Sequence, residues 1–210
     1  MSADFPLAIL AKAPIPGQVK TRLIPVLGAE GAARLHAVLL RHALEIAAAA
    51  TSAHSITLWT ALDHGHSLFL ELADRYGIEL RAQPEGHLGV RMHHALSSMP
   101  GPGLLIGCDC PMLTPVLLQG CRKALDRADA VFLPAEDGGY ALVGTRRADP
   151  QLFAAIDWGT SRVMAQTRRR ARELGWRLAC PTSVWDVDRP QDLQRLALDF
   201  PRLAPSATVQ

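Results

Sequence analysis

Residues 5–23, FPLAILAKAPIPGQVKTRL, place a short apolar run directly before a loop that carries Lys12, Pro14, Pro16, Gly17, Lys20 and Arg22. Phe5 to Ala11 reads as a buried strand. The loop behind it opens onto an Ala- and Leu-rich segment from about Gly28 to Ala50 with helical character. A strand, loop and helix in that order begin an α/β fold whose backbone amides and cations can cradle phosphate. Only three of the 22 basic residues are lysines, and two of these, Lys12 and Lys20, lie in this loop. A lysine supplies a compact ammonium on a flexible stem, and Arg22 adds a planar fork suited to phosphate oxygens. Ala11, Lys12, Pro16, Gly17, Lys20 and Arg22 are therefore the expected phosphate-binding residues. The plainer reading is a solvated basic loop.

The same alternation continues along the chain. Residues 54–61 (HSITLWTA) have strand composition, 67–76 helical periodicity, 78–83 a second short strand, and 88–99 a helix. Residues 103–107 (GLLIG) form a continuous apolar run of the kind covered on both faces in a parallel sheet. Thr114 and Pro115 match a capping residue followed by proline at the first helical position, opening a helix to about Arg127. A strand follows at 130–135, interrupted at Glu136-Asp137-Gly138-Gly139 and resumed at 140–144. Residues 160–174 read as a helix, 176–180 and 183–187 as short extended pieces, and 190–198 as a closing helix. These elements predict one three-layer α/β/α domain over residues 1–200 with a mostly parallel, mixed sheet, and a frayed tail at 201–210.

Length and composition limit the partners. A chain of 210 residues, 49% apolar, can bury roughly 70% of its unfolded surface. The formal net charge is only +2. Outside the loop and the run Arg168 to Arg172, the basic residues are dispersed, which argues for small anionic ligands and against nucleic acid. The run itself lacks aromatic interleaving and reads as a solvated helix face. No apolar run approaches a membrane span and the first ten residues lack a signal-peptide pattern, so a cytoplasmic protein is expected. Cys108, Cys110, Cys121 and Cys180 show no paired spacing for zinc or disulfides; Cys108 and Cys110 are expected to pack on either side of a strand end. His64 with His66, and His93 with His94, lack a convincing third ligand.

The acidic residues are more informative. In a parallel sheet, ligands bind outside the carboxyl ends of the strands. Lys12 follows the first strand, Asp109 the central one, Glu136 and Asp137 the next, and Asp186 and Asp188 the last extended piece. All are expected on one rim. Carboxylates about 4 Å apart repel by roughly 4 kcal/mol per pair at an effective dielectric near 20, so a proton or a cation must offset them. Oxygen ligands beside a phosphate site favour Mg²⁺ or Mn²⁺. Asp109 and Asp188 are the expected metal contacts, with Asp186 a third because alternation in WDVD puts it on the same side. Asp188 also suits a helix cap. The loop lacks the spacing of a P-loop ATPase. Glu136, Asp137, Gly138 and Gly139, with Arg162, are candidates for holding an acceptor; a tight turn and a surface arginine are the plain alternatives.

Five motifs, AKAPIPGQVKTRL, GCDCPMLTP, PAEDGGYALVG, WGTSRVMAQT and WDVDRPQDL, together resemble the DUF2064 family over nearly the whole chain. That resemblance implies the GT-A fold of nucleotide-diphospho-sugar transferases, shared with CofC-like and MobA-like nucleotidyltransferases. It assigns Lys12, Lys20 and Arg22 to phosphates, Asp109 to a metal after the central strand, and Asp186 with Asp188 to a later acidic pair. Met112 and Ala141 depart from the family pattern. The expected activity is transfer of a nucleotidyl group from a nucleoside triphosphate to a small anionic acceptor, with Lys12, Lys20, Arg22 and Asp109 catalytic. Glycosyl transfer from a nucleotide sugar, and nucleotide binding without turnover, are the alternatives.

Overall fold

The computed structural model describes residues 4–205. Seven strands form one sheet: β1 (Leu7–Lys12), β2 (Ile56–Ala61), β3 (Glu79–Ala82), β4 (Gly103–Ile106), β5 (Ala130–Pro134), β6 (Tyr140–Thr145) and β7 (Leu178–Ala179). Their order across the sheet is β3-β2-β1-β4-β6-β5-β7. Strands β1 to β4 run parallel, and β6 runs antiparallel to both of its neighbours. The chain moves outward from β1 through β2 to β3 and then returns to lay β4 on the other side of β1. A crevice therefore opens at the carboxyl ends of β1 and β4, where the direction of winding reverses.

The described residues form six α-helices, α1 (Ile24–Ala50), α2 (Ser67–Tyr76), α3 (Leu88–Ser97), α4 (Pro115–Ala124), α5 (Val163–Glu173) and α6 (Pro190–Asp199). Alternation along each strand divides the core into two layers. Leu7 and Ile9 of β1, with Leu104 and Ile106 of β4, meet Leu40 and Leu44 of α1, Phe69 of α2 and Leu118 of α4. Ala8 and Leu105 point the other way and meet Met92 of α3 and Met164 of α5. A third cluster packs Leu35 and Leu39 of α1 against Trp185, Val187 and Leu196. This last contact sets the segment before α6 beside the first loop.

Several boundaries differ from the sequence reading. The interruption at 136–139 is the turn of an antiparallel β5–β6 hairpin, and β6 inserts between β4 and β5. Gly28, where the sequence predicts the helix to begin, lies inside α1 as a break with φ 69°. Residues 183–187 form an isolated bridge, Ala135 to Val184, rather than a strand. Helix α5 begins three residues later than expected, at Val163. Thr21–Ala50 is long enough to cross a membrane and contains an 18-residue window with a mean hydropathy of 1.4, but Arg22, Glu30, Arg34, Arg41 and Glu45 interrupt it, so it is not an unbroken apolar run. Its alanine content raises that mean, and its apolar stripe packs against the sheet and α6. Of the tail, residues 200–204 make turns, with Leu203 N–H donating to Phe200 at 2.9 Å. Residues 206–210 lie outside the described ones.

Candidate active site

The crevice at the β1–β4 switch holds a cavity of about 490 Å³. Ala11 and Lys12 from the end of β1, Lys20 and Arg22 from the loop, Asp109 after β4, and Asp186 and Asp188 before α6 all line it. The loop enters the protein through its own turns. The Gln18 amide donates to Ile15 at 3.0 Å, and Val19 is buried as an anchor. Lys20 then adopts a left-handed backbone, φ 47° and ψ 39°, which costs a non-glycine residue roughly 1–2 kcal/mol. That conformation turns its side chain inward, where only 3% of it stays exposed.

The Lys20 ammonium lies 2.6 Å from Asp109 Oδ1 and donates to the Val187 carbonyl at 2.6 Å. Burial works against charge on both partners of this pair. The neighbouring Asp109 nonetheless holds Lys20 above the ordinary lysine range, and Lys20 holds Asp109 below the ordinary carboxylate range. Asp109 keeps 46% of its side chain open to the cavity. Its carbonyl also accepts the Val187 amide at 2.9 Å, which joins the 184–188 segment to the end of β4. Val187 points into the core, so Asp186 and Asp188 both face the cavity, as alternation predicts.

Asp188 forms an ion pair with Arg22. Both partners are substantially exposed, so this pair contributes little to stability. It is not the cap of α6: the Asp192 carboxylate accepts the amides of Asp188 at 2.9 Å and Arg189 at 2.6 Å. Asp186 is different, because its Oδ1 is buried with no hydrogen-bond partner among the described residues. Burial first, then Asp109 and Asp137, push its carboxyl up to about 7. A buried acceptor without a donor calls for a proton or a cation. Asp186, Asp109 and Asp188 all line the cavity, and their oxygens are donors of the kind a hard divalent ion takes.

Other predicted residues lie elsewhere. Pro16 and Gly17 occupy the exposed apex of the loop and do not line the cavity. Glu136 pairs with Arg195 at 3.0 Å and Arg162 with Asp157 at 3.0 Å, both at the surface outside the cavity. Asp137 accepts the Gly139 amide at 2.8 Å, closing the hairpin turn. Gly138 has φ 91°, and a Cβ there would collide with the backbone of Ser161. Its role is close approach of the 159–162 loop. Cys108 and Cys110 belong to one and the same core cluster, not to opposite sides, because alternate residues share a face.

Three residues that line the cavity escaped the sequence reading. His36 lies on the core-facing stripe of α1, with Nε2 2.9 Å from the Lys12 carbonyl. A histidine inside an otherwise apolar helical stripe was the available signal. Gln83 donates to the Trp59 carbonyl at 2.8 Å and accepts from Arg91 at 3.3 Å, setting both beside the cavity. Neither residue belongs to a motif.

Comparison with known proteins adds the family. Residues 43–160 match the profile described as "Uncharacterized protein conserved in bacteria (DUF2064)". The chain belongs to the DUF2064 family. No curated protein matches it. Among solved structures, a candidate nucleotide-diphospho-sugar transferase from Desulfovibrio desulfuricans G20 is 28% identical with a TM-score of 0.77, covering 87% of this chain and 81% of that one. A nucleotidyl transferase from Methanothermobacter thermautotroptrophicus is 16% identical with a TM-score of 0.66, covering 95% and 99%. CMP:2-keto-3-deoxy-manno-octonic acid synthetase complexed with CTP is 10% identical with a TM-score of 0.61, covering 95% and 99%. This DUF2064 chain therefore shares the three-layer α/β architecture of the GT-A and nucleotidyltransferase folds.

Proposed function

We propose that this DUF2064 protein is a divalent-metal-dependent transferase that acts on a nucleotide substrate, and that it transfers a nucleotidyl group to a small anionic acceptor. The observation that carries the reading is the meeting of Lys12, Lys20 and Arg22 with Asp109, Asp186 and Asp188 around one cavity at the β1–β4 switch. Neighbours of the same fold are named for nucleotidyl transfer and for a CTP complex, which supports a nucleotide substrate.

In this reading an ionised phosphate or carboxylate of the acceptor attacks the α-phosphorus of a nucleoside triphosphate. A new phosphorus–oxygen bond forms, the bond to the β-phosphate oxygen breaks, and pyrophosphate leaves. No general base is required. Asp109 and Asp186, with Asp188, would hold Mg²⁺ or Mn²⁺, and the bound ion would supply charge neutralisation on the phosphates. Lys12, exposed on the rim, grips phosphate oxygens. Lys20 balances the charge of Asp109 and fixes its direction, and Arg22 is released from Asp188 to the substrate. Catalysis then rests on positioning and on preorganised charge. Glu136, Asp137, Gly138, Gly139 and Arg162 lie outside the cavity and are given no part in this reading.

One observation favours a second reading. The structure at 28% identity is named for nucleotide-diphospho-sugar transfer, in which the metal stays with a diphosphate leaving group. Incubation with each nucleoside triphosphate and with nucleotide sugars, in Mg²⁺ and a panel of anionic acceptors, separates the two. Pyrophosphate release supports nucleotidyl transfer, and nucleoside diphosphate release supports glycosyl transfer. Binding without either product leaves a nucleotide-binding module.

A further inference from the structure

His36, Cys108 and Asp109 form a second donor set at the floor of the cavity, chemically unlike the three aspartates. Cys108 Sγ lies 3.9 Å from His36 Nδ1 and 3.7 Å from Asp109 Oδ1, and the remaining side of the triangle, His36 Nδ1 to Asp109 Oδ1, is 3.9 Å. An ion at the centre of that triangle would lie about 2.2 Å from all three atoms, against about 2.0–2.3 Å for zinc bonded to nitrogen, oxygen or sulfur. The triangle is nearly equilateral without any rearrangement.

The orientation of the imidazole is a second, independent observation. Nε2 faces the Lys12 carbonyl at 2.9 Å, and a carbonyl can only accept. Nε2 therefore carries the hydrogen and Nδ1 presents its lone pair to the triangle. Metal-bound histidines are held in this way, by donation of the other ring N–H to a backbone carbonyl or carboxylate. His36 and Cys108 are each 5% exposed, while Asp109 opens to the cavity, so the site is closed below and open above. Three protein ligands with one open position is the arrangement of an accessible transition-metal site.

We propose that His36, Cys108 and Asp109 bind a borderline-soft divalent transition ion such as Zn²⁺ or Co²⁺, at a site distinct from the oxygen donor set formed with Asp186 and Asp188. Binding replaces the thiol proton of Cys108 with the metal. It also competes with the Lys20 ammonium, which contacts the same Asp109 oxygen at 2.6 Å. The two ligand sets share Asp109, so an ion on the nitrogen–sulfur side withdraws that carboxylate from the other set.

Titration of the purified protein with Co²⁺, without nucleotide, tests this independently of any transferase activity. The expected result is a thiolate-to-cobalt charge-transfer band in the near ultraviolet that saturates at one ion per chain. Cys108→Ser abolishes it, whereas Cys110→Ser and Cys180→Ser retain it. His36→Gln keeps every thiol and weakens cobalt binding at least about tenfold, since losing even a group that only orients a ligand costs that much. Lys20→Met strengthens binding by removing the competing charge. A wild-type protein that gives no band overturns the proposal, as does a band that survives Cys108→Ser or disappears with Cys180→Ser. If Cys108→Ser does not fold, the His36→Gln and Cys180→Ser titrations decide the matter alone: unchanged affinity in the first, or loss of the band in the second, overturns it.

Discussion

Replacing Asp186 with asparagine should stabilise the protein at pH 8 and leave it unchanged near pH 4. The carboxyl has a buried, partnerless oxygen and is pushed from 3.8 in the unfolded chain to about 7 in the folded one. Between those values the folded state binds the proton and the unfolded state does not. Unfolding free energy therefore falls as pH rises through this window, and the full penalty is present above pH 7. A shift of about three units corresponds to roughly 4 kcal/mol, and water at the cavity mouth reduces this to about 2–4 kcal/mol. Asparagine keeps the shape of the protonated acid and has no charge to bury. For a domain of this size, about 2–4 °C of melting temperature accompanies each kcal/mol, so Asp186→Asn is expected to melt about 4–16 °C higher at pH 8. Scanning calorimetry from pH 4 to 8 measures the difference directly. A variant that melts at or below the wild type at pH 8, or whose advantage is the same at pH 4, would refute the assignment of a buried, proton-binding carboxyl. Mg²⁺ should raise the melting temperature of the wild type more than that of the variant, because the ion offsets the same charge and binds only the native state.

Three other outcomes follow from the geometry. Lys20→Met should lower stability by about 1–3 kcal/mol, below the 3–5 kcal/mol typical of a fully buried pair because Asp109 reaches solvent; urea denaturation of the single variants and of Lys20→Met with Asp109→Asn should show positive coupling. Gly138→Ala should cost at least about 2 kcal/mol in the same assay, since it combines positive φ with a backbone clash; a neutral result would mean the 159–162 loop does not pack there. Asp192→Ala should cost about 1 kcal/mol through lost capping of α6, whereas Asp188→Ala should cost less, and the reverse order would return the capping role to Asp188.

The alternation of apolar runs and helical segments was legible along the chain because each element carries its own period, as in 67–76, which is helical over those same residues. Of the residues expected on one rim, Lys12 and Asp109 were legible because strand direction puts the carboxyl ends of parallel strands on one side; Asp186 and Asp188 reach it from a segment that is not a strand, and Glu136 and Asp137 lie in a turn outside the cavity. The antiparallel insertion of β6 was not, because YALVG reads alike in either direction and pairing is a choice between partners. Local pattern likewise could not show that Glu136 and Arg162 would be taken by Arg195 and Asp157, residues distant from them or unremarkable in sequence.

Sequence by itself determined the class of fold and the charged residue types available to a site: short-range periodicity and residue type are properties a chain carries before it folds. Only the tertiary structure decided that the Lys20 ammonium turns inward onto Asp109, that the acid of Asp186 is left without a donor, and that His36 presents a lone pair beside Cys108. Those facts depend on which groups exclude water from one another, and burial is created by packing between segments up to 167 positions apart, as from Lys20 to Val187.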